Sequence, residues 1–125
     1  AAYGIAGTAT PAEAIAEIDG NRTLLAEYGV DSRWFRSSTA HYDDVAVDIA
    51  RDRGVKIAGF SVNADVGATA TAGHVASTIM HAPDGAIVLA HMNHPTSGTG
   101  PGVRQALEQL PSDEVRFTFL DGSRP

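Results

Sequence analysis

Residues 86–95 read AIVLAHMNHP: five apolar residues, a histidine, a second histidine three positions later, and a proline. The run Ala86–Ala90 follows the breaker Pro83-Asp84-Gly85 and has the length and composition of a strand buried on both faces. A strand of this kind belongs to a parallel sheet covered by helices, and it delivers the next residue to the sheet's carboxyl rim. That rim is where ligand-binding and reacting groups collect in parallel α/β architectures, open or closed. His91 is therefore a candidate site residue, provided that the rest of the chain builds such a sheet.

Working outward, helical and strand signals alternate. Thr10-Pro11-x-Glu13 forms a capping box with proline at the first helical position. Ile15, Ile18, Arg22, Leu25 and Tyr28 then follow helical spacing, and Gly29 is a natural stop. A short apolar piece, Trp34-Phe35, precedes a second helix opened by Asp43 and Asp44 and closed by Gly54. KIAGFSV (Lys56–Val62) reads as a strand, and a third helix is expected from about Thr71 to His81. Beyond the quoted stretch, a fourth helix begins at Pro101 or Gly102 and ends at Pro111, and VRFTFL (Val115–Leu120) reads as a last strand. The order α-β-α-β-α-β-α-β implies an α/β fold with parallel strands and crossover helices.

Composition narrows the function. A chain of 125 residues, 43% hydrophobic and 19% charged, is one soluble globular domain's worth of sequence, residues 1–125. Its formal charge of −6 disfavours a phosphate-tracking surface, so no nucleic-acid partner is expected. No apolar stretch approaches the length of a membrane span. The absence of cysteine excludes disulfides and thiolate metal sites. The chain opens on Ala1 with no secretory apolar region in view.

A directed search of the strand ends gathers polar groups on one rim. Arg36 follows the first strand, Asn63, Asp65 and Gly67 follow the second, His91, Asn93 and His94 the third, and Asp121 the last. An arginine orients a carboxylate bidentately, and a histidine relays a proton near neutral pH. Together they suggest hydrolytic or proton-transfer chemistry. Plainer readings stand beside this one: Arg36 as a structural ion pair, and His91 as a core histidine bonded to a backbone carbonyl. His91 and His94 form H-x-x-H, a weak zinc pair on a proline-bounded loop. Gly98-x-Gly100-x-Gly102 with Asp121 has the outline of a dinucleotide fingerprint. Its glycines lie too far beyond the strand, however, and Pro101 removes an N–H that such a loop would aim at phosphate.

Three segments, FRSSTAHYDD, FSVNADVGAT and AIVLAHMNHPTSGTGPGVRQALEQLPSDEVRFTFL, in that order, resemble the later part of the polysaccharide deacetylases, carbohydrate esterase family four. The resemblance runs from Thr10 onward, and its most specific element is the last segment. It implies a distorted, incomplete (β/α) barrel of parallel strands lacking its N-terminal strands. The implied reaction is metal-dependent hydrolysis of an N- or O-acetyl group on a carbohydrate. Arg36 would orient a catalytic aspartate, and His91 would act as general acid toward the leaving amine or alcohol. Asn63 or Asp65 falls where the family carries an acidic residue that tunes this histidine. Leu89 would line the pocket for the acetyl methyl, and the Thr39 backbone N–H would polarise the carbonyl oxygen. Where the family has a tryptophan after its second aspartate, this chain has Val66.

In the family, the Asp-Asp pair and the histidines that hold the metal lie N-terminal to the segments matched here. The resemblance therefore implies a divalent metal, zinc first among candidates, with no ligand from this chain. It further implies an N-terminal polypeptide completing the barrel, or self-association, since four strands leave an exposed edge and apolar face. Alone, the chain is expected to be inactive. A secreted or cell-envelope location agrees with the resemblance and with the absence of cysteine. The alternative is a non-catalytic carbohydrate-binding or interaction domain on the same half-barrel.

Overall fold

Thr10 closes the expected capping box in both directions. Its hydroxyl accepts from Glu13 N–H, and the Glu13 carboxylate accepts from Thr10 N–H at 2.7 Å. From this start α1 runs Pro11–Glu27, and Gly29 at φ +76° ends it in the left-handed region that glycine enters freely. The computed structural model describes residues 10–37, 42–121 and 123. After α1 come β1 (Trp34–Phe35), α2 (Asp44–Asp52), β2 (Lys56–Ile57), β3 (Val62–Asn63), α3 (Ala72–Met80), β4 (Val88–Leu89) and α4 (Thr99–Gln109). Helices and short parallel strands follow one another in part as expected, but β2 and β3 come with no helix between them and no strand follows α4 among the described residues. Contacts divide the chain into two compact units, one ending at Gly59 and the other starting at Phe60.

In the first unit β1 and β2 pair in parallel, Trp34 opposite Lys56 and Phe35 opposite Ile57. α1 and α2 bury Ala14, Ile18, Ala46, Ile49 and Ala50 with Val55, and Phe35 and Ile57 pack against that cluster. The α1 stripe is shorter than its spacing suggests. Ile18 is buried, but Tyr28 forms the C-cap and is largely exposed. Arg22 has a polar task on that face: its guanidinium donates to the Arg53 carbonyl at the C-terminus of α2. Arg53 in turn pairs with Asp19 at 2.7 Å.

The second unit is a parallel β3–α3–β4 turn of chain followed by α4, with Val62 opposite Val88 and Asn63 opposite Leu89. Three expectations are corrected here. The single strand Lys56–Val62 is two pieces, β2 and β3, each with a different partner, and the break falls at Gly59, which offers a strand no side chain to pack. Ala86–Ala90 contributes only two ladder residues, with Ile87 and Val88 exposed rather than buried. VRFTFL forms no strand: its backbone finds no ladder, and Phe119 N–H donates to the Ser123 carbonyl instead.

α4 begins at Thr99, earlier than Pro101, and the glycines around it have a packing role. A Cβ on Gly98 would lie 2.5 Å from the Ala70 carbonyl oxygen, and one on Gly102 would lie 2.5 Å from Val75 Cβ and 2.6 Å from the Ala72 carbonyl oxygen. Gly98 and Gly102 are one turn apart and let α4 settle directly on α3. That contact accounts for two of the three glycines of the apparent nucleotide fingerprint. Gly100 has nothing within 4 Å.

A contrast between neighbouring glycines follows. Gly102→Ala should destabilise the chain by about 1–3 kcal/mol through overpacking against backbone. Gly100→Ala should be neutral or stabilising by up to about 1 kcal/mol. Urea unfolding of both variants checks this; equal effects would show that helix contact does not set the glycine requirement.

Candidate active site

Immediately after β3 the backbone turns through Val66 (φ 51°), Gly67 (φ 69°) and Ala68 (φ 67°). A left-handed β-branched residue costs on the order of 1–3 kcal/mol, so the surroundings must enforce it. They do: Asn63 Oδ1 accepts from Val66 N–H, Thr69 Oγ1 donates to the Val66 carbonyl, and the Thr69 and Ala70 amides both donate to the Asp65 carbonyl. The turn leaves Val66 exposed and puts the Asp65 side chain inside, with no accessible surface.

β4 brings the partner. Ala64 N–H donates to the Leu89 carbonyl at 2.9 Å, which fixes the two strand ends side by side. Asp65 Oδ1 then lies 2.8 Å from His91 Nδ1, and Oδ2 accepts from His91 N–H at 2.6 Å. Thr99 Oγ1, from the first residue of α4, donates to the same Oδ2 at 2.8 Å. Ser97 Oγ donates in turn to Thr99 Oγ1 at 3.1 Å.

Burial is the largest single influence on the Asp65 carboxyl and pushes its pKa up. Opposing it are donors from the His91 amide, the His91 ring, the Thr99 hydroxyl and the Ala68 amide, and together they hold Asp65 well below the usual carboxylate range. An ionised carboxylate only accepts, so the proton between the two side chains sits on His91 Nδ1. The His91 side chain is about one-third exposed. The arrangement can hold a histidine in one tautomer and orient it.

The remaining sequence-derived candidates fall in several places. Asn63 does not touch His91; its carboxamide folds back onto Val66, so Asp65 is the residue that meets the histidine. Leu89 is half-buried in β4. Beside His91 lies a cavity of about 520 Å³ whose walls include Val88, Ala90, Val103, Leu107 and Phe117, and Leu89 is not among them. Arg36 belongs to the first unit, is exposed, and donates to the Ser37 carbonyl at 3.2 Å. Thr39 lies outside the described residues. Thr99 and Ser97 were not singled out from sequence, since the partner of Thr99 lies 34 positions away. Among the described residues no three His, Asp or Glu side chains converge, and both Asp65 oxygens are already engaged. These residues do not fit a divalent metal.

No family model matches the sequence, and no curated protein does. The fold does find a neighbour. A family 4 carbohydrate esterase from Streptomyces lividans, solved in complex with acetate, matches with a TM-score of 0.70 at 16% identity. The chain shares the fold of part of a family 4 carbohydrate esterase. The match covers 79% of this chain and 52% of the other, so the chain spans about half the length of that structure.

The depressed Asp65 pKa has a pH consequence with a definite sign. Its stabilisation is fully present above the unfolded carboxylate value, about 4, and is lost as pH falls toward the lower folded value. Asp65→Asn should remove that acid-side slope and cost about 1–3 kcal/mol at neutral pH, since the amide offers a hydrogen where an acceptor is needed. Denaturant unfolding measured from pH 3 to pH 7 on both proteins reads this directly. Parallel stability curves would mean that Asp65 is not held ionised.

Proposed function

We propose that this chain is part of a metal-dependent deacetylase acting on N- or O-acetylated carbohydrate, in which His91 is the general acid and Asp65 its partner. The observation that carries the reading is the buried Asp65 carboxylate bonded to His91 Nδ1 at the end of a parallel strand. The likeness in fold to a carbohydrate esterase supports hydrolysis of an ester or amide bond. On this reading water adds to the acetyl carbonyl as a carboxylate base takes its proton, and the tetrahedral intermediate collapses as His91, protonated on both nitrogens, gives its Nε2 proton to the leaving nitrogen or oxygen. Asp65 holds the ring in place and offsets the positive charge it carries before that transfer. Arg36 is assigned the orienting of a carboxylate base, with Thr39 at the carbonyl oxygen and Leu89 against the acetyl methyl.

The divalent metal, zinc by preference, is assigned to ligands outside this chain, and no step above depends on it. The architecture proposed is a partial (β/α) barrel completed by an N-terminal polypeptide or by a second copy, in a secreted or cell-envelope setting. Exposed Phe117, Phe119 and Met92 favour some covering partner, and they also keep the interaction-domain reading in play.

One substitution separates the two readings. In the assembly that releases acetate from an acetylated oligosaccharide, His91→Ala should lower turnover by about 10²–10⁴-fold with substrate binding retained. Unchanged turnover would remove His91 from the chemistry and favour the interaction domain. The isolated chain should release no acetate, and chelator-insensitive release by it would overturn the assignment of the metal and its ligands to a second segment.

A further inference from the structure

The Asp65 carboxylate takes two donors from His91 itself, one from the Ala68 amide in its own turn and one from α4. Bonds from His91 and from the adjoining turn would let the pair move together, because Ala68 shares the loop of Asp65 and β4 is only two residues long with apolar side chains partly open to solvent. Thr99 comes from a better-anchored element: Gly98 and Gly102 seat α4 on the α3 backbone, and Thr99 is 3% exposed between them. We infer that Thr99 is a positioning residue for His91, its hydroxyl holding Asp65 Oδ2 so that Oδ1 keeps the imidazole in the Nδ1–H tautomer.

The direction of the bonds supports this. Asp65 can only accept, so the single Thr99 hydroxyl proton must point at Oδ2, and the Ser97 hydroxyl donates into the oxygen behind it. Asp65 has no accessible surface and Thr99 is 3% exposed, so the hydroxyl is a buried donor. The importance of the tautomer rests on the proposed role of His91; its control by Thr99 does not.

Nitrogen NMR of the imidazole on this chain tests it. The unaltered protein should show His91 as the Nδ1–H tautomer with a slowly exchanging ring proton. Thr99→Ser, which loses the methyl and keeps the hydroxyl, should retain that pattern. Thr99→Val, which keeps the bulk and loses the hydroxyl, should mix the tautomers and speed exchange about tenfold, the worth of one net hydrogen bond. A wild-type pattern in Thr99→Val overturns the inference, as does equal loss in Thr99→Ser, the result of a packing role alone. If Thr99→Val does not fold, the unaltered protein decides. A Thr99 hydroxyl proton protected from exchange and coupled to the Asp65 carboxyl carbon upholds the inference, and its absence overturns it. A correct tautomer in a chain that never supports acetate release would count against the deacetylase reading and leave the positioning role standing.

Discussion

A carboxylate with no exposed surface stays ionised only when donors replace its water, and the second unit is organised around meeting that requirement at Asp65. Removing such a group from water costs several kcal/mol. Charge-assisted hydrogen bonds contribute about 1.5–3 kcal/mol each, and Asp65 receives them from the His91 amide, the His91 ring and the Thr99 hydroxyl. Any one alone would fall short of the penalty. Their sum ties the end of β3 to the end of β4 and the start of α4, 26 and 34 positions further along the chain.

That constraint also explains backbone features that would otherwise be costs. The left-handed run from Val66 to Ala68 turns the chain sharply enough to point Asp65 inward and presents the Ala68 amide to it. The absence of side chains at Gly98 and Gly102 brings α4 near enough for Thr99 to reach Oδ2. Strain in the first case and helix-breaking composition in the second are tolerated because both serve the same carboxylate. The core beneath is built from small residues, Ala64, Val75, Ala76 and Ala106, which suits helices that approach this closely.

Local devices were legible in the sequence; pairing partners were not. Thr10, Asp43 and Thr71 cap α1, α2 and α3 through their own side chains, and Gly29 and Gly54 end the first two helices, because capping and left-handed stops are decided within a few residues. The strands depend on what lies beside them. Nothing within KIAGFSV says that its first and last residues pair with different strands, and the β propensity of VRFTFL forms no ladder. At the site, His91 stood out because an apolar run ended on it. The choice between Asn63 and Asp65 stayed open in the sequence. Two positions apart at the end of a strand, they are separated only by a turn that commits the Asn63 side chain to Val66. Thr99 was hidden for the converse reason: its partner is 34 positions away, beyond any local pattern.

The same geometry bears on how the chemistry is divided along the polypeptide. Asp65, His91, Thr99 and Ser97 all belong to the unit that starts at Phe60, and each of the bonds joining them closes within it. The Asp65–His91–Thr99–Ser97 cluster is therefore specified by about half of the chain. Proton transfer requires a ring held in one tautomer and one orientation before substrate arrives, which a buried carboxylate supplies. Metal binding requires several carboxylates and imidazoles left free to coordinate, which a fully hydrogen-bonded carboxylate cannot be. The interactions that make Asp65 a good partner for His91 are thus the ones that disqualify it as a ligand. Any metal held near this carboxylate would have to take its ligands from other residues.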